Sequence, residues 1–378
     1  MKIKTLPFLL LCTLLIISVI VSGQANLQLS SWAMGPFIRP NPARPVITPD
    51  HQRTFTDPMS GKKVTWMSNA AFNPAAVVKD GKIIVLFRAE DITGKNKIGG
   101  HTSRIGLAES TDGVTLKISP VPVLFPAKDD QKEYDWPGGS EDPRVAQTED
   151  GTYIMFYTSW NMKTPRLSVA TSKDLLHWTK HGPAFKAAWN GRFVNMASKS
   201  ASIVTELKNG KQVIAKVNGK YLMYWGEHFV NPATSDDLIN WTPLLDDKNE
   251  LQRLIAPRSG YFDSDLTECG PPALITDKGI LLLYNGKNSE GNRRDTSYAA
   301  HSYCAGQVLF DKNDPTKVLA RLDKPFLYPT EPFEQSGQYA AGTVFIEGMA
   351  YYNNKWFLYY GCADSRVGVA IFDPNGIK

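Results

Sequence analysis

Acidic and basic residues gather at five places in this chain, each beside a short apolar run. They are Arg88-Ala89-Glu90-Asp91, Ser140-Glu141-Asp142-Pro143-Arg144, Gly226-Glu227-His228, Asp265-Leu266-Thr267-Glu268 and Asp364-Ser365-Arg366. Two carboxyl groups facing one substrate can divide general acid and base work: one protonates a leaving oxygen while the other activates water or attacks carbon. That is what cleavage of a glycosidic bond demands. Neighbouring Asp and Arg side chains can grip sugar hydroxyls through paired hydrogen bonds. Any single cluster reads equally well as a solvated loop. Recurrence at corresponding points of five units favours one shared site.

Other chemistries find little footing. The sequence holds no His-Glu-x-x-His, Cys-x-x-Cys, Gly-x-Ser-x-Gly or phosphate-cradling glycine loop. His177 and His181 are four apart but straddle Trp178 in a strand-rich stretch, a poor frame for a helical metal pair. Cys269 reads as a packed thiol rather than a nucleophile. Neither a metal nor a cofactor is expected. Asn240-Trp241-Thr242 is a formal glycosylation sequon, discounted because it lies inside a repeat.

The elements that must bring the clusters together announce themselves as repeats. Ala108-Glu109-Ser110-Thr111-Asp112-Gly113, Ala170-Thr171-Ser172-Lys173-Asp174-Leu175 and Ala233-Thr234-Ser235-Asp236-Asp237-Leu238 share one pattern, and the last two lead to Trp178-Thr179 and Trp241-Thr242. Internal periods are read before anything else. The repeat Asp should cap a turn through its side chain, and the repeat Trp should pack between units. Turn pairs feed five apolar strands: Asp80-Gly81 into 83–87, Asp150-Gly151 into 153–157, Asn218-Gly219 into 221–225, Lys278-Gly279 into 280–284 and Asn353-Asn354 into 356–360. Helical periodicity is scarce. Five units of roughly 60–75 residues, longer than the ~40–45 of common WD-type blades, predict an all-β, five-bladed β-propeller built as one domain. Residues 24–64, rich in proline, read as an extended strap, and 244–263 as a long loop insertion. Trp136, Trp160, Trp189 and Tyr261 either line the funnel or pack.

Composition agrees with a folded globular protein. Hydrophobic residues make up 42% of the chain, which excludes disorder, and the formal charge is only +5 with no long Lys/Arg run, which gives a nucleic-acid partner little support. Aromatics at 11% supply platforms on which sugars stack. At the N-terminus, Lys2 and Lys4 precede an apolar run from Leu6 to Val21 and then Ser22-Gly23-Gln24. This is the layout of a secretory signal peptide, residues 1–23, cut after Gly23 and followed by no further membrane segment. The expected location is periplasmic or secreted. An uncleaved anchor is the alternative, though the run is short for a span. Cleavage removes Cys12 and leaves Cys269, Cys304 and Cys362, three thiols that cannot all pair internally.

Several blocks in order carry a resemblance. Phe72-Asn73-Pro74-Ala75, Phe87-Arg88-Ala89-Glu90-Asp91, Ser103-Arg104-Ile105-Gly106, Gly139-Ser140-Glu141-Asp142-Pro143-Arg144, Cys269-Gly270-Pro271-Pro272, Tyr303-Cys304-Ala305-Gly306 and Tyr359-Tyr360-Gly361-Cys362-Ala363-Asp364 resemble glycoside hydrolase family 130, the mannoside phosphorylases and β-mannosidases. The resemblance implies a five-bladed propeller and a mannose in the innermost subsite, with a mannose-containing oligosaccharide as partner. It implies that Asp142 stands where the phosphorylases keep their acid, and that Asn73, Arg88, Arg104, Lys199 and Asp364 hold the sugar.

Two departures from the family pattern bear on the reaction. Phosphorylases of the family carry a His-Arg pair after the third blade's strand and a His in Tyr-His-Gly after the fourth's. This chain has Gly226-Glu227-His228 and Tyr284-Asn285-Gly286 there. A carboxylate in place of a phosphate-binding cation repels a dianion, at about 4 kcal/mol for each pair of unit charges ~4 Å apart at an effective dielectric of ~20. The departures resemble the hydrolytic branch, whose members cleave β-1,2-mannosides with inversion. The expected catalytic pair is Glu227 as base and Glu268 as acid, with Asp142 on a sugar hydroxyl; the order of the two glutamates stays open. The alternatives are a phosphorylase with an unusual phosphate site, a sugar-binding propeller without turnover, and an interaction scaffold.

Overall fold

The computed structural model describes residues 29–95 and 97–376; the signal-peptide reading of residues 1–23 lies outside them. Five antiparallel sheets follow one another around an axis, a five-bladed β-propeller. The first blade is made of Ala70–Lys79, Lys82–Glu90, Ser103–Ser110 and Lys117–Ile118. The second is Gly139–Gln147, Tyr153–Trp160, Pro165–Ser172 and Thr179–Pro183. The third runs Ala201–Lys208, Lys220–Trp225, Asn231–Ser235 and Thr242–Pro243. In the fourth, a first strand broken at Gly270-Pro271-Pro272 (Leu266–Cys269, then Ala273–Ile275) precedes Ile280–Lys287, Tyr303–Phe310 and Val318–Arg321. The fifth has Phe345–Tyr352, Lys355–Cys362 and Arg366–Phe372.

The apolar runs read from the sequence are the second strand of each blade. Each is buried on both faces by its neighbours, which is why it shows as a continuous hydrophobic run. The first strands abut one another around the ring and line the axis. They carry polar residues and interruptions, so their strand signal is weaker. The repeats behave as their turn chemistry dictates. Ser110, Ser172 and Ser235 accept from the N–H three residues on, and Asp112, Asp174 and Asp237 each accept from two backbone N–H groups of the same turn. Trp241 is buried edge-on against Phe156 of the preceding blade, and its indole donates to the Leu238 carbonyl.

The proline-rich segment joins the fifth blade, which among the described residues has three strands. Ile38 and Ile47 form bridges to Ile371 and Val367 on that blade's outer edge. Arg39, between them, reaches the buried Glu334 at 2.7 Å, and Glu334 also accepts from the Tyr360 hydroxyl. Sequence far from the last blade thus covers its exposed edge.

Candidate active site

The first strands of three blades bulge where they approach the axis. Register shifts occur at Asn73, at Glu141-Asp142-Pro143 and at Glu347. Asn73 and Asp142 take positive φ, 47° and 49°, and Asp364 does so at 50° just beyond the fifth blade's second strand. A bulge re-aims a side chain that the regular alternation would send into the sheet, and Asn and Asp tolerate the left-handed region best after Gly. Gly361 makes room for this: a Cβ there would lie 2.2 Å from Asn73 Oδ1. Sequence blocks from the first and fifth blades are thereby fitted to each other.

These side chains converge on one cavity of about 200 Å3. Asn73, Arg88, Asp142, Lys199, Glu227, Glu268 and Asp364 all line it, so seven of the eight residues expected from sequence meet. Arg104 does not. Its guanidinium is buried behind the site, 2.7 Å from Asp91 and 3.2 Å from Asp57, over the Phe55 ring. The expectation that it binds sugar is corrected: two carboxylates, one supplied by the segment before the first blade, claim it. Trp136, Trp160, Trp189 and Tyr261 are likewise absent from the lining, and Trp160 and Trp189 donate to the backbone carbonyls of Gly99 and Pro243.

One wall is anionic and joined by hydrogen bonds. Asp142 Oδ1 accepts from the Asn73 amide at 2.9 Å and from Arg88 at 3.1 Å. Burial works to raise the Asp142 pKa, but Arg88, Lys199 and the Asn73 amide outweigh it and hold the carboxyl below its ordinary 3.8. Asp142 is therefore ionised near neutral pH in the unliganded site. Arg88 also reaches Glu90 at 2.6 Å and Glu141 at 2.9 Å. Burial pushes Glu141, behind Asp142, up to about 7 against the pull of Arg88. Burial likewise pushes Asp364 up to about 7. Asn73 Oδ1 is buried against Gly361 with no hydrogen-bond partner among the described residues.

The opposite wall holds the two glutamates. Lys199 Nζ lies 3.6 Å from Glu227 and 3.9 Å from Glu268. Those two legs end to end cap the separation of the two oxygens at about 7.5 Å, which reaches the lower part of the ~6.5–9.5 Å range of inverting glycosidases. The two differ in setting. Glu227 keeps 34% of its side chain exposed, whereas Glu268 keeps 2% and accepts from the Ser200 hydroxyl. Burial raises Glu268 to about 7, with Glu227's charge adding and Lys199 opposing. Burial would lower Lys199, but the surrounding carboxylates, Glu227 and Glu268 first, raise it above the ordinary lysine range.

Residues that the sequence reading left without a role complete the site. Tyr303, Tyr339, Gln338, Phe72, Phe345 and Ile98 close the cavity. Gln338 donates to Glu90 at 3.0 Å and to the Asp364 carbonyl at 2.8 Å. Arg144 fixes the two walls to each other across the axis. It donates to the carbonyls of Cys269 (2.9 Å) and Gly270 (3.1 Å), just after Glu268, and pairs with buried Glu347 of the fifth blade at 3.0 Å. Its place in the Glu-Asp-Pro-Arg block was the available signal; its partners, more than a hundred residues away, were not readable. Cys269 itself is buried with its thiol pKa raised by burial, as a packed thiol. Asn285, where phosphorylases of the resembled family have His, is spent on the backbone N–H and carbonyl of Ile346.

A propeller funnel lined by Asn73, Arg88 and Asp142 on one side and by a pair of glutamates on the other is an arrangement suited to acting on glycosides. The sequence profile Glyco_hydro_130, described as beta-1,4-mannooligosaccharide phosphorylase, matches residues 39–377, and the chain belongs to glycoside hydrolase family 130. It is 32% identical to a 1,2-beta-oligomannan phosphorylase of Thermoanaerobacter sp. (strain X514), over 83% of this chain and 93% of that one. A glycosyl hydrolase structure from Bacteroides ovatus is 57% identical, with a TM-score of 0.90, covering 92% of this chain and 96% of that one. Another solved structure, described by the statement that the family of mannoside phosphorylases contains glycoside hydrolases that target beta-1,2 mannosidic linkages in Candida mannan, is also 57% identical. Its TM-score is 0.91, over 92% and 96% of the two chains.

Proposed function

We propose that this protein is an exported, inverting glycoside hydrolase that cleaves β-mannosidic bonds, foremost β-1,2-linked manno-oligosaccharides, with mannose in the inner subsite. The observation that carries the reading is the charge of the cavity. Five carboxyl groups line it (Glu90, Asp142, Glu227, Glu268, Asp364), two of which, Glu268 and Asp364, burial raises to about 7, against two cations, Arg88 and Lys199, each already paired with acids. Such a lining opposes an inorganic dianion and favours a neutral sugar and water. The resemblance to solved hydrolases at 57% identity supports the same choice.

The chemistry follows from the two environments. Buried Glu268, with a pKa of about 7, keeps a proton to give the glycosidic oxygen. Glu227, reached by solvent, takes the proton of a water attacking the opposite face of the anomeric carbon. Asp142, Asn73 and Arg88 hold the hydroxyls that fix the ring. Export rests on the N-terminal 23 residues.

A phosphorylase is the second reading, favoured by the name of the 32% identical relative. NMR of β-1,2-mannobiose turnover with and without phosphate separates the two. Phosphate-independent release of α-mannose supports hydrolysis with inversion, and mannose 1-phosphate refutes it. Glu227→Gln is expected to lower kcat by about 10²–10⁴-fold; near-wild-type turnover would remove Glu227 from the mechanism.

A further inference from the structure

Lys199 and Ser200 are neighbours in the chain, yet both reach Glu268. An extended strand would send consecutive side chains to opposite faces. Ser200 escapes this alternation with φ 60°, a left-handed backbone that a residue bearing a Cβ adopts at a cost. The carbonyls of Ser200 and Lys199 both accept from the Gly226 N–H, at 3.0 and 3.1 Å, which pins the kink just before the strand Ala201–Lys208. Both side chains then address one oxygen. The Ser200 hydroxyl donates to Glu268 Oε1, and Lys199 Nζ lies 3.9 Å from the same atom. Oε2 has no hydrogen bond to protein among the described residues, and it is not one of the sealed atoms left without a partner. It is the oxygen open to the sugar cavity that Glu268 lines.

We infer that Ser200 is a positioning residue that fixes the transferable proton of Glu268 on Oε2, the oxygen facing the sugar. The inference rests on the reading of Glu268 as the acid. A protonated carboxyl and a hydroxyl can bond in two senses. If Glu268 donated from Oε1, Ser200 would accept, and its own hydrogen would be left without an acceptor in a fully buried residue. Lys199 would then stand beside the protonated oxygen instead of the electron-rich one. When Ser200 donates, its hydrogen is satisfied, Oε1 keeps its electron density next to the ammonium, and the proton is left on Oε2. The remaining charged or titratable groups facing Glu268 are Glu227, Arg144, Tyr303, Glu347 and Cys269, and among the described residues no hydrogen bond joins any of their side chains to either oxygen. The step balances. The Oε2–H bond breaks as the glycosidic oxygen takes the proton and leaves the anomeric carbon. A water oxygen bonds to that carbon and its proton passes to Glu227. The charge left on Glu268 spreads to Oε1, where the Ser200 hydroxyl and Lys199 already stand, so no group has to reorganise to receive it.

Removing the hydroxyl tests this. Ser200→Ala deletes it with the Cβ kept, and Ser200→Gly deletes it with a residue that takes the left-handed backbone freely, so the fold is not at risk. On β-1,2-mannobiose each is expected to lower kcat by about tenfold with KM within about twofold, because the proton is no longer held on the facing oxygen. The direction in which the alkaline limb of kcat/KM moves separates the two hydrogen-bond senses. Donation from Ser200 favours the ionised carboxyl, so its loss raises the Glu268 pKa and moves the limb up by about one pH unit. A limb that moves down means that Ser200 accepts from a proton on Oε1, and it overturns the proposal. So does a limb that stays in place, whatever happens to kcat. A limb that rises with kcat unchanged leaves Ser200 tuning the acid without directing its proton, and it overturns the assignment to Oε2. Two controls distinguish the levels. Mannose 1-phosphate from the wild type, or an alkaline limb that survives in Glu268→Gln, overturns the acid reading and this proposal together. A limb that Glu268→Gln abolishes and Ser200→Gly leaves unmoved overturns the role of Ser200 alone.

Discussion

Replacing Glu268 by Gln separates its chemistry from its electrostatics. Gln keeps the shape and still accepts from Ser200, but it cannot donate a catalytic proton or ionise. Loss of a positioned general acid is expected to lower kcat/KM by about 10²–10⁴-fold on mannobiose. The wild-type profile of kcat/KM should fall above pH 7, because the free enzyme's Glu268, held at about 7 by burial, must be protonated. The Gln variant should lose that limb. Stability declines in the same direction. A carboxyl whose pKa is higher in the native state binds its proton more tightly there. Its contribution is therefore full below about 4.5 and declines as pH rises through about 7. A difference of about 2.5 in pKa, at about 1.36 kcal/mol for each, is worth on the order of 3 kcal/mol. Urea unfolding of both proteins at pH 5 and pH 8 reads this: the Gln variant should gain by roughly that amount at the higher pH relative to wild type. An alkaline limb that survives in the Gln variant, or a stability difference independent of pH, would refute the assignment of Glu268 as the buried acid.

Two further substitutions follow from buried ion pairs. Arg144→Met leaves the buried Cys269 and Gly270 carbonyls without their donor and is expected to cost about 3–5 kcal/mol in urea unfolding. Burial holds the Glu347 carboxyl well above its ordinary range, so the double variant Arg144→Met/Glu347→Gln should recover only a minor part, and recovery of most of the loss would show that Arg144 acts chiefly by neutralising Glu347. Arg104→Met strands Asp57 and Asp91 and should destabilise by a similar ~3–5 kcal/mol, while its kcat and KM at a temperature where it remains folded stay near wild type. A large rise in KM would return Arg104 to the sugar site.

The propeller was legible because its repeating turns are local. Ser110, Ser172 and Ser235 bond within three residues of themselves, so the pattern Ser-x-Asp carries its own structure wherever it stands. The second strands were equally plain, since full burial on both faces needs continuous apolar residues. The first strands were harder to see. Their bulges at Asn73 and Asp142 break alternation in order to aim polar groups at the axis, and that break is the functional feature.

The identity of the acids was written in the sequence, but not which environment each would meet. Arg88 and Arg104 look alike as short blocks. One faces the cavity beside Asp142, and the other is taken by Asp57 and Asp91. Glu227 and Glu268 differ little as residues and greatly in exposure, because the first stands in a loop open to solvent and the second in a strand sealed by its neighbours. Sequence settled which local turns and strands form, since their hydrogen bonds close within a few residues. Tertiary structure alone decided which charge meets which, because Coulomb energy and desolvation depend on distance through space, and the ring brings together groups that the chain keeps far apart.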